Sequence, residues 1–129
     1  MLSRRYGFEK EERLTRKKII NRLFDSGNTL PLYPLKIYWI ETNEIHKFPA
    51  RILINTSSKL IRKASSRNII TRRIKEAYRL KKHILYDSLK SLNKSVVLAY
   101  IYISSDIVPY KEIELRIIDS FKLILEALK

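Results

Sequence analysis

Apolar and polar positions follow two different periods along this chain. Leu35, Ile37 and Trp39 interleave with Lys36, Tyr38 and Ile40, and a strand places the two sets on opposite faces. Ala50–Thr56 reads the same way, with Ile52 and Ile54 on one side and Arg51, Leu53 and Asn55 on the other. Ser95–Ile103 is β-branched and aromatic and apolar on both faces, as a central strand is. Elsewhere the period is helical. Ile19, Ile20, Leu23 and Phe24 predict a helix over Thr15–Ser26, capped by Thr15 and ended by Gly27. Ile113, Ile117, Phe121, Ile124 and Leu128 predict another over Lys111–Leu128. Between them a long helix starts at Ser65 or Ser66, either of which can cap it. It runs past Lys82 through Ile84, Leu85 and Leu89 and breaks at Asn93 and Lys94.

The connections read as loops. Asn28–Pro34 is a turn region with two prolines, Thr42–Lys47 a polar link consistent with a hairpin, and Asp106–Pro109 a turn. The order helix, strands, helix, strand, helix gives an α+β domain, three helices packed with a small central β-sheet. At 129 residues the chain is expected to be a single domain, 1–129, with about 1–12 polar and loosely held. In that tail Arg4 and Arg5 can touch a polyanion or simply be solvated.

Charge changes the picture. The formal net charge is +14, with pI near 10.1, which points to a polyanionic partner. Most of it lies in Lys59–Lys82, KLIRKASSRNIITRRIKEAYRLKK, where Glu76 is the one acidic residue. Advancing about 100° per residue puts Arg67, Asn68, Arg72, Lys75, Arg79 and Lys82 on one side. Ile70, Ile74, Ala77 and Ile84 fall on the other. Like charges at i,i+4, such as Lys75 and Arg79, repel and do not stabilise a helix. A continuous basic stripe of this kind is suited to nucleic acid.

These residues resemble the signature of the protein subunit of bacterial ribonuclease P, close to S-K-K-x-x-x-A-V-x-R-N-R-x-K-R-x-x-R-E-A-[FY]-R. Ser58, Lys59, Ala64, Arg67, Asn68, Arg72, Glu76, Ala77, Tyr78 and Arg79 stand in register, with Lys75 in place of an Arg. Upstream, Arg13-Leu14, Ile20, Leu23-Phe24 and Gly27 are similar to the family's opening R-L…F-x-x-[VL]-F-x-x-G helix. The chain departs at Leu60, Ile69 and Thr71, where the family has basic residues, and at Arg62, where a Gly is common. Arg62, Lys63 and Arg73 keep the neighbourhood basic.

The resemblance implies an α-β sandwich with the basic helix in a left-handed crossover between parallel strands, against the usual right-handed rule. It implies a protein that binds the ribonuclease P RNA and the 5′ leader of precursor tRNA. Catalysis, with Mg²⁺, would rest on the RNA subunit. Lys59, Arg67, Asn68, Arg72 and Lys75 carry over as the RNA-facing row, with Arg62, Lys63, Arg73 and Arg79 beside them. Asn68 can instead order the helix start. Ile20, Phe24, Lys36 and Tyr38 carry over to the leader cleft, although Ile20 and Phe24 can equally be core.

The residues themselves offer no autonomous catalysis. An independent nuclease needs converging carboxylates for metal ions or a positioned acid and base. Here the carboxylates are scattered among cations, and neither His46 nor His83 sits in a motif. Glu76 reads as an ion-pair partner for Arg72, Arg73 or Arg79. Glycine occurs only at Gly7 and Gly27, so no phosphate-cradling loop exists. Without cysteine there are no disulfides and no thiolate metal sites. No bound cofactor is expected on the protein alone, which is expected to be monomeric. No apolar run approaches the ~20 residues of a membrane span. The opening MLSRRYGFEKEER lacks the apolar core of a signal peptide, so a cytoplasmic location is expected. Two other readings compete: a structural RNA binder such as a small ribosomal protein, and a DNA-binding module. The second lacks a helix and short turn before the basic helix.

Overall fold

A computed structural model describes residues 7–44 and 46–129, so Arg4 and Arg5 lie outside the described residues. Alternation fixes the sheet. Strands β1 (Asn28–Leu32), β2 (Leu35–Thr42), β3 (Ala50–Thr56) and β4 (Ser95–Tyr102) lie in the order β1-β2-β4-β3. Both β1/β2 and β2/β4 are antiparallel, and β3/β4 is parallel. Helix α1 (Lys17–Ser26) precedes the sheet, α2 (Ala64–Leu92) connects β3 to β4, and α3 (Tyr110–Leu128) follows.

Two expectations about the strands are corrected. Asn28–Pro34 is not all turn, because its first five residues pair with β2. Pro31 is tolerated there because β1 is an edge strand, where a missing N–H breaks no second ladder. The link after Thr42 is no hairpin either, since β4 inserts between β2 and β3. A polar linker sets only the distance between strands, and non-local pairing decides which strands meet.

Both faces of the sheet are covered, which is why β4 is apolar throughout. On one face Ile37, Leu98, Tyr100 and Ile52 pack against Ile70, Ile74, Ala77 and Tyr78 of α2 and Ile117 and Phe121 of α3. On the other, Ile40, Val97 and Ala99 pack against Leu23 of α1 and Leu14. Leu23 is fully buried and contributes roughly 1.5–3 kcal/mol by leaving water. Gly27 ends α1 where a Cβ would sit 2.2 Å from the Leu23 carbonyl oxygen. Asn93 closes α2 in the left-handed region at φ 55°. The Asn93 N–H donates to Lys90 (3.1 Å) and the Lys94 N–H to Leu89 (3.0 Å), which satisfies two of the last carbonyls.

The predicted caps are also corrected. Helix α1 begins at Lys17 with Arg16 at its N-cap, and α2 begins at Ala64 with Lys63 there, neither making a side-chain cap. Thr15 and Ser65–Ser66 therefore do not cap.

Residues 7–14 are held, contrary to the expectation of a loose segment through residue 12. They form a strap along the open edge of β3, where the Leu14 N–H donates to the Ile52 carbonyl at 2.7 Å. A 3-10 turn at Lys10–Glu12 buries the Glu12 carboxylate completely. Lys82 of α2 meets both Glu12 oxygens, at 2.7 and 2.9 Å, and also donates to the Gly7 carbonyl. The Glu9 N–H (2.9 Å) and the Tyr86 hydroxyl (2.6 Å) complete the shell around Glu12. Burial pushes the Tyr86 and Tyr78 hydroxyls well above the ordinary phenol range, so both remain donors. Because Tyr86 gives its proton to Glu12, Tyr78 donates to Tyr86 at 2.9 Å.

Candidate nucleic-acid interface

The basic helix and the loop before it make one surface. Ile70, Ile74 and Ala77 are fully buried, which turns the opposite side of α2 outward. The Ile61 N–H donates to Ser57 (3.0 Å) and the Lys59 N–H to Ser57 Oγ (3.1 Å), folding the loop into a turn. Lys59, Arg62 and Lys63 project from that loop, and Asn68 and Arg72 from the first turns of α2; all five are exposed.

The other cations of the predicted row are partly committed to the protein. Arg67 Nη1 donates to the carbonyls of Ile61 (2.9 Å) and Arg62 (2.8 Å), tying the loop to the helix. Arg73 Nη1 donates to the Val108 carbonyl (2.7 Å), tying α2 to the segment before α3. Arg79 pairs with Glu76, which settles the three open partners for that carboxylate and raises the guanidinium pKa through their hydrogen bond. Lys75 Nζ lies half-buried 5.7 Å from the centre of the Phe8 ring, a cation–π distance. Lys82, placed on the stripe by the helical wheel, is buried under the strap and leaves it.

The second predicted group lies across the sheet. Pairing aligns Tyr38 with Ala99 and Leu53, and Lys36 with Ile101 and Asn55, on the face that carries α1. The Phe24 and Tyr38 rings meet edge to face at 4.8 Å, and Lys36 Nζ stands 5.3 Å from the Tyr38 ring centre. Phe24 keeps 39% of its surface in solvent. Ile20 is half-buried and packs with the smaller core cluster. The structure thus assembles Phe24, Tyr38 and Lys36 into a partly open aromatic and cationic notch. Unpaired bases stack on such surfaces whatever their sequence.

One cluster has no motif to mark it. Glu44, in the loop after β2, bridges Arg16 Nη1 at 2.5 Å and Arg51 Nη2 at 2.6 Å. The hydrogen bond from Arg51, aided by the nearby Arg16 charge, holds the Glu44 carboxyl below its ordinary value. Its pairing is therefore complete above the usual carboxylate pKa and is lost as pH falls through the lowered one. The only sequence signal was alternation, which places Arg51 on the Tyr38 face.

Among the described residues, no group of three or more His, Asp or Glu side chains is placed to hold a metal ion. His46 lies in a loop, where its Nδ1 accepts the Phe48 N–H at 3.3 Å. No helix among the described residues is long and apolar enough to cross a membrane.

Comparison with known proteins finds the same pattern. The profile of the Ribonuclease P family matches residues 8–100. The ribonuclease P protein component of Porphyromonas gingivalis is 30% identical over 109 residues, 84% of this chain and 80% of that one. The component from Chlorobaculum tepidum is 33% identical over 94 residues, 67% of this chain and 60% of that one. Among solved structures, the Staphylococcus aureus RNase P protein superposes with a TM-score of 0.67 at 21% identity, covering 89% of this chain and 96% of its own. The Thermotoga maritima protein gives 0.69 at 19% identity, covering 87% and 96%. At those identities the superpositions speak for the fold.

Proposed function

The chain belongs to the ribonuclease P protein family, and we propose that α2 binds the ribonuclease P RNA while the α1–sheet notch holds the 5′ leader of precursor tRNA. As a ribonuclease P protein component it is part of the ribonucleoprotein that processes tRNA 5′ ends. The observation that carries the finer reading is the pairing of two surfaces. A basic helix and the loop before it, with exposed Lys59, Arg62, Lys63, Asn68 and Arg72, suit a folded RNA. An aromatic notch at Phe24, Tyr38 and Lys36 suits a single strand.

In this reading the protein acts by positioning. Arginine forks bind phosphate oxygens in pairs, so the α2 row lowers the repulsion between two RNAs brought together. The leader adds contact area that mature tRNA lacks, and the energy is spent on orienting the scissile phosphate. Mg²⁺ is supplied through the RNA subunit. The protein works as one domain, monomeric before assembly, in the cytoplasm.

Reconstitution tests this. The purified protein, mixed with ribonuclease P RNA and precursor tRNA at low Mg²⁺, is expected to yield a matured 5′ end only when both components are present. Cleavage by the protein alone would overturn the account. No stimulation of a correctly folded RNA would return the chain to the structural RNA-binding reading. The notch has its own test. Tyr38→Ala removes a stacking surface worth about 1–3 kcal/mol per base. It should weaken binding of precursor tRNA and leave mature tRNA binding unchanged. Equal losses for both would remove Tyr38 from the leader path.

A further inference from the structure

Arg51 is an unusual residue to find on a sheet. It is 5% exposed, and such a guanidinium requires an anion. Glu44 supplies one, but from the loop between β2 and β3 and not from an element of the fold. Arg16, the second partner, is largely exposed at the start of α1. The three side chains face an open groove of about 660 Å³. Lys10, Arg13 and Glu11 also line it, so cations outnumber carboxylates two to one. A second groove of about 240 Å³ is lined by Lys75 and Thr71 of α2 and by Leu53. Arg13 and Thr15 line both. A cationic path therefore runs from the basic helix, past Arg13, to Arg16 and Arg51.

We propose that Arg16 and Arg51, with Arg13 beside them, form a further station for a backbone phosphate of single-stranded RNA, and that Glu44 occupies that station until the strand displaces it. A carboxylate and a phosphate present similar oxygens to an arginine fork, so one can stand in for the other. Arg51 is held by a strand and buried, so it is already aimed when Glu44 leaves. The loop carboxylate keeps the buried charge neutralised in the free protein and sets a threshold against weakly held strands. Register places Arg51 two residues from Leu53, which aligns with Tyr38 through Ala99, so the station extends the notch along one sheet face.

This inference rests on the leader reading above, and the test separates the two. Holoenzyme affinity is measured for mature tRNA and for precursors with a short and a long leader, over a range of salt. Glu44→Gln is expected to tighten long-leader binding by roughly two- to fivefold, the scale of releasing a partly exposed ion pair. The salt slope should steepen by somewhat less than one unit. Adding Arg16→Ala should abolish the gain. Glu126→Gln, which removes an exposed carboxylate on α3, should change nothing. Unchanged affinity in Glu44→Gln, or an equal gain for short and long leaders, would leave the Arg16–Glu44–Arg51 bridge a clamp for its loop. If the unaltered holoenzyme does not distinguish precursor from mature tRNA, the leader reading itself fails.

Discussion

Lys82→Met is expected to cost the fold about 3–5 kcal/mol, the usual penalty for removing one partner of a buried ion pair. Small domains have only about 5–15 kcal/mol in total. The cost arises because Glu12 is fully buried and Lys82 is its counterion, within 2.7 and 2.9 Å of its two oxygens. Methionine can fill much of the lysine stem's space but leaves an uncompensated carboxylate and an unpaired Gly7 carbonyl. The strap should then lift from α2, exposing Tyr78 and Tyr86. Glu12→Leu in the same background removes the orphaned charge and should recover much of the loss, since apolar replacement of a buried pair is often near neutral. Urea unfolding of the two single variants and the double variant measures this as a coupling energy. A Lys82→Met cost below about 1 kcal/mol, the level of an exposed pair, would show that the pair does not hold the strap.

That lysine also shows where local periodicity stops being informative. The helical wheel put Lys82 with Lys75 and Arg79 because it sees one helix at a time. The strap approaches from residues some seventy positions earlier and covers Lys82 with Glu12, as Phe8 covers Tyr78. What depends on local period was legible. Ile70, Ile74 and Ala77 face the core as their spacing requires, and the two-sided apolar run of β4 is central because helices cover both faces. Strand order was not legible, because it depends on which distant edges pair. The candidate site divides in the same way. The residue types and spacing of Lys59–Arg79 mark a basic surface by themselves, whereas Lys36 and Tyr38 are singled out through the resemblance to the ribonuclease P family, alternation adding only that they share a face. Which guanidinium is already committed to a carbonyl, as in Arg67 and Arg73, emerges only when the loops before α2 and α3 are in place. Nothing in the spacing of Arg16, Glu44 and Arg51 indicates that they meet.

That commitment decides which variants should matter most for RNA. Replacing both Arg72 and Lys75 with alanine is expected to weaken binding to the ribonuclease P RNA by roughly fifteen- to thirtyfold at 0.15 M salt. The figure follows from two lost phosphate contacts, each adding somewhat under one unit of salt slope, referred to molar salt. The slope itself should flatten by about 1.4–1.8 units. Arg72 is exposed, so its loss leaves the fold intact, and Lys75 forfeits only its cation–π contact with Phe8. Arg73→Ala provides the contrast. It removes the bond to the Val108 carbonyl and should cost stability of about 1.5–3 kcal/mol, as for a hydrogen bond from a charged group. Any effect of Arg73→Ala on affinity should then come through the folded fraction, with the salt slope unchanged. Slope and affinity must therefore be measured together. A double variant that binds less well with an undiminished slope would mean that Arg72 and Lys75 touch no phosphate, and the RNA-facing surface would shift to the loop at Lys59, Arg62 and Lys63.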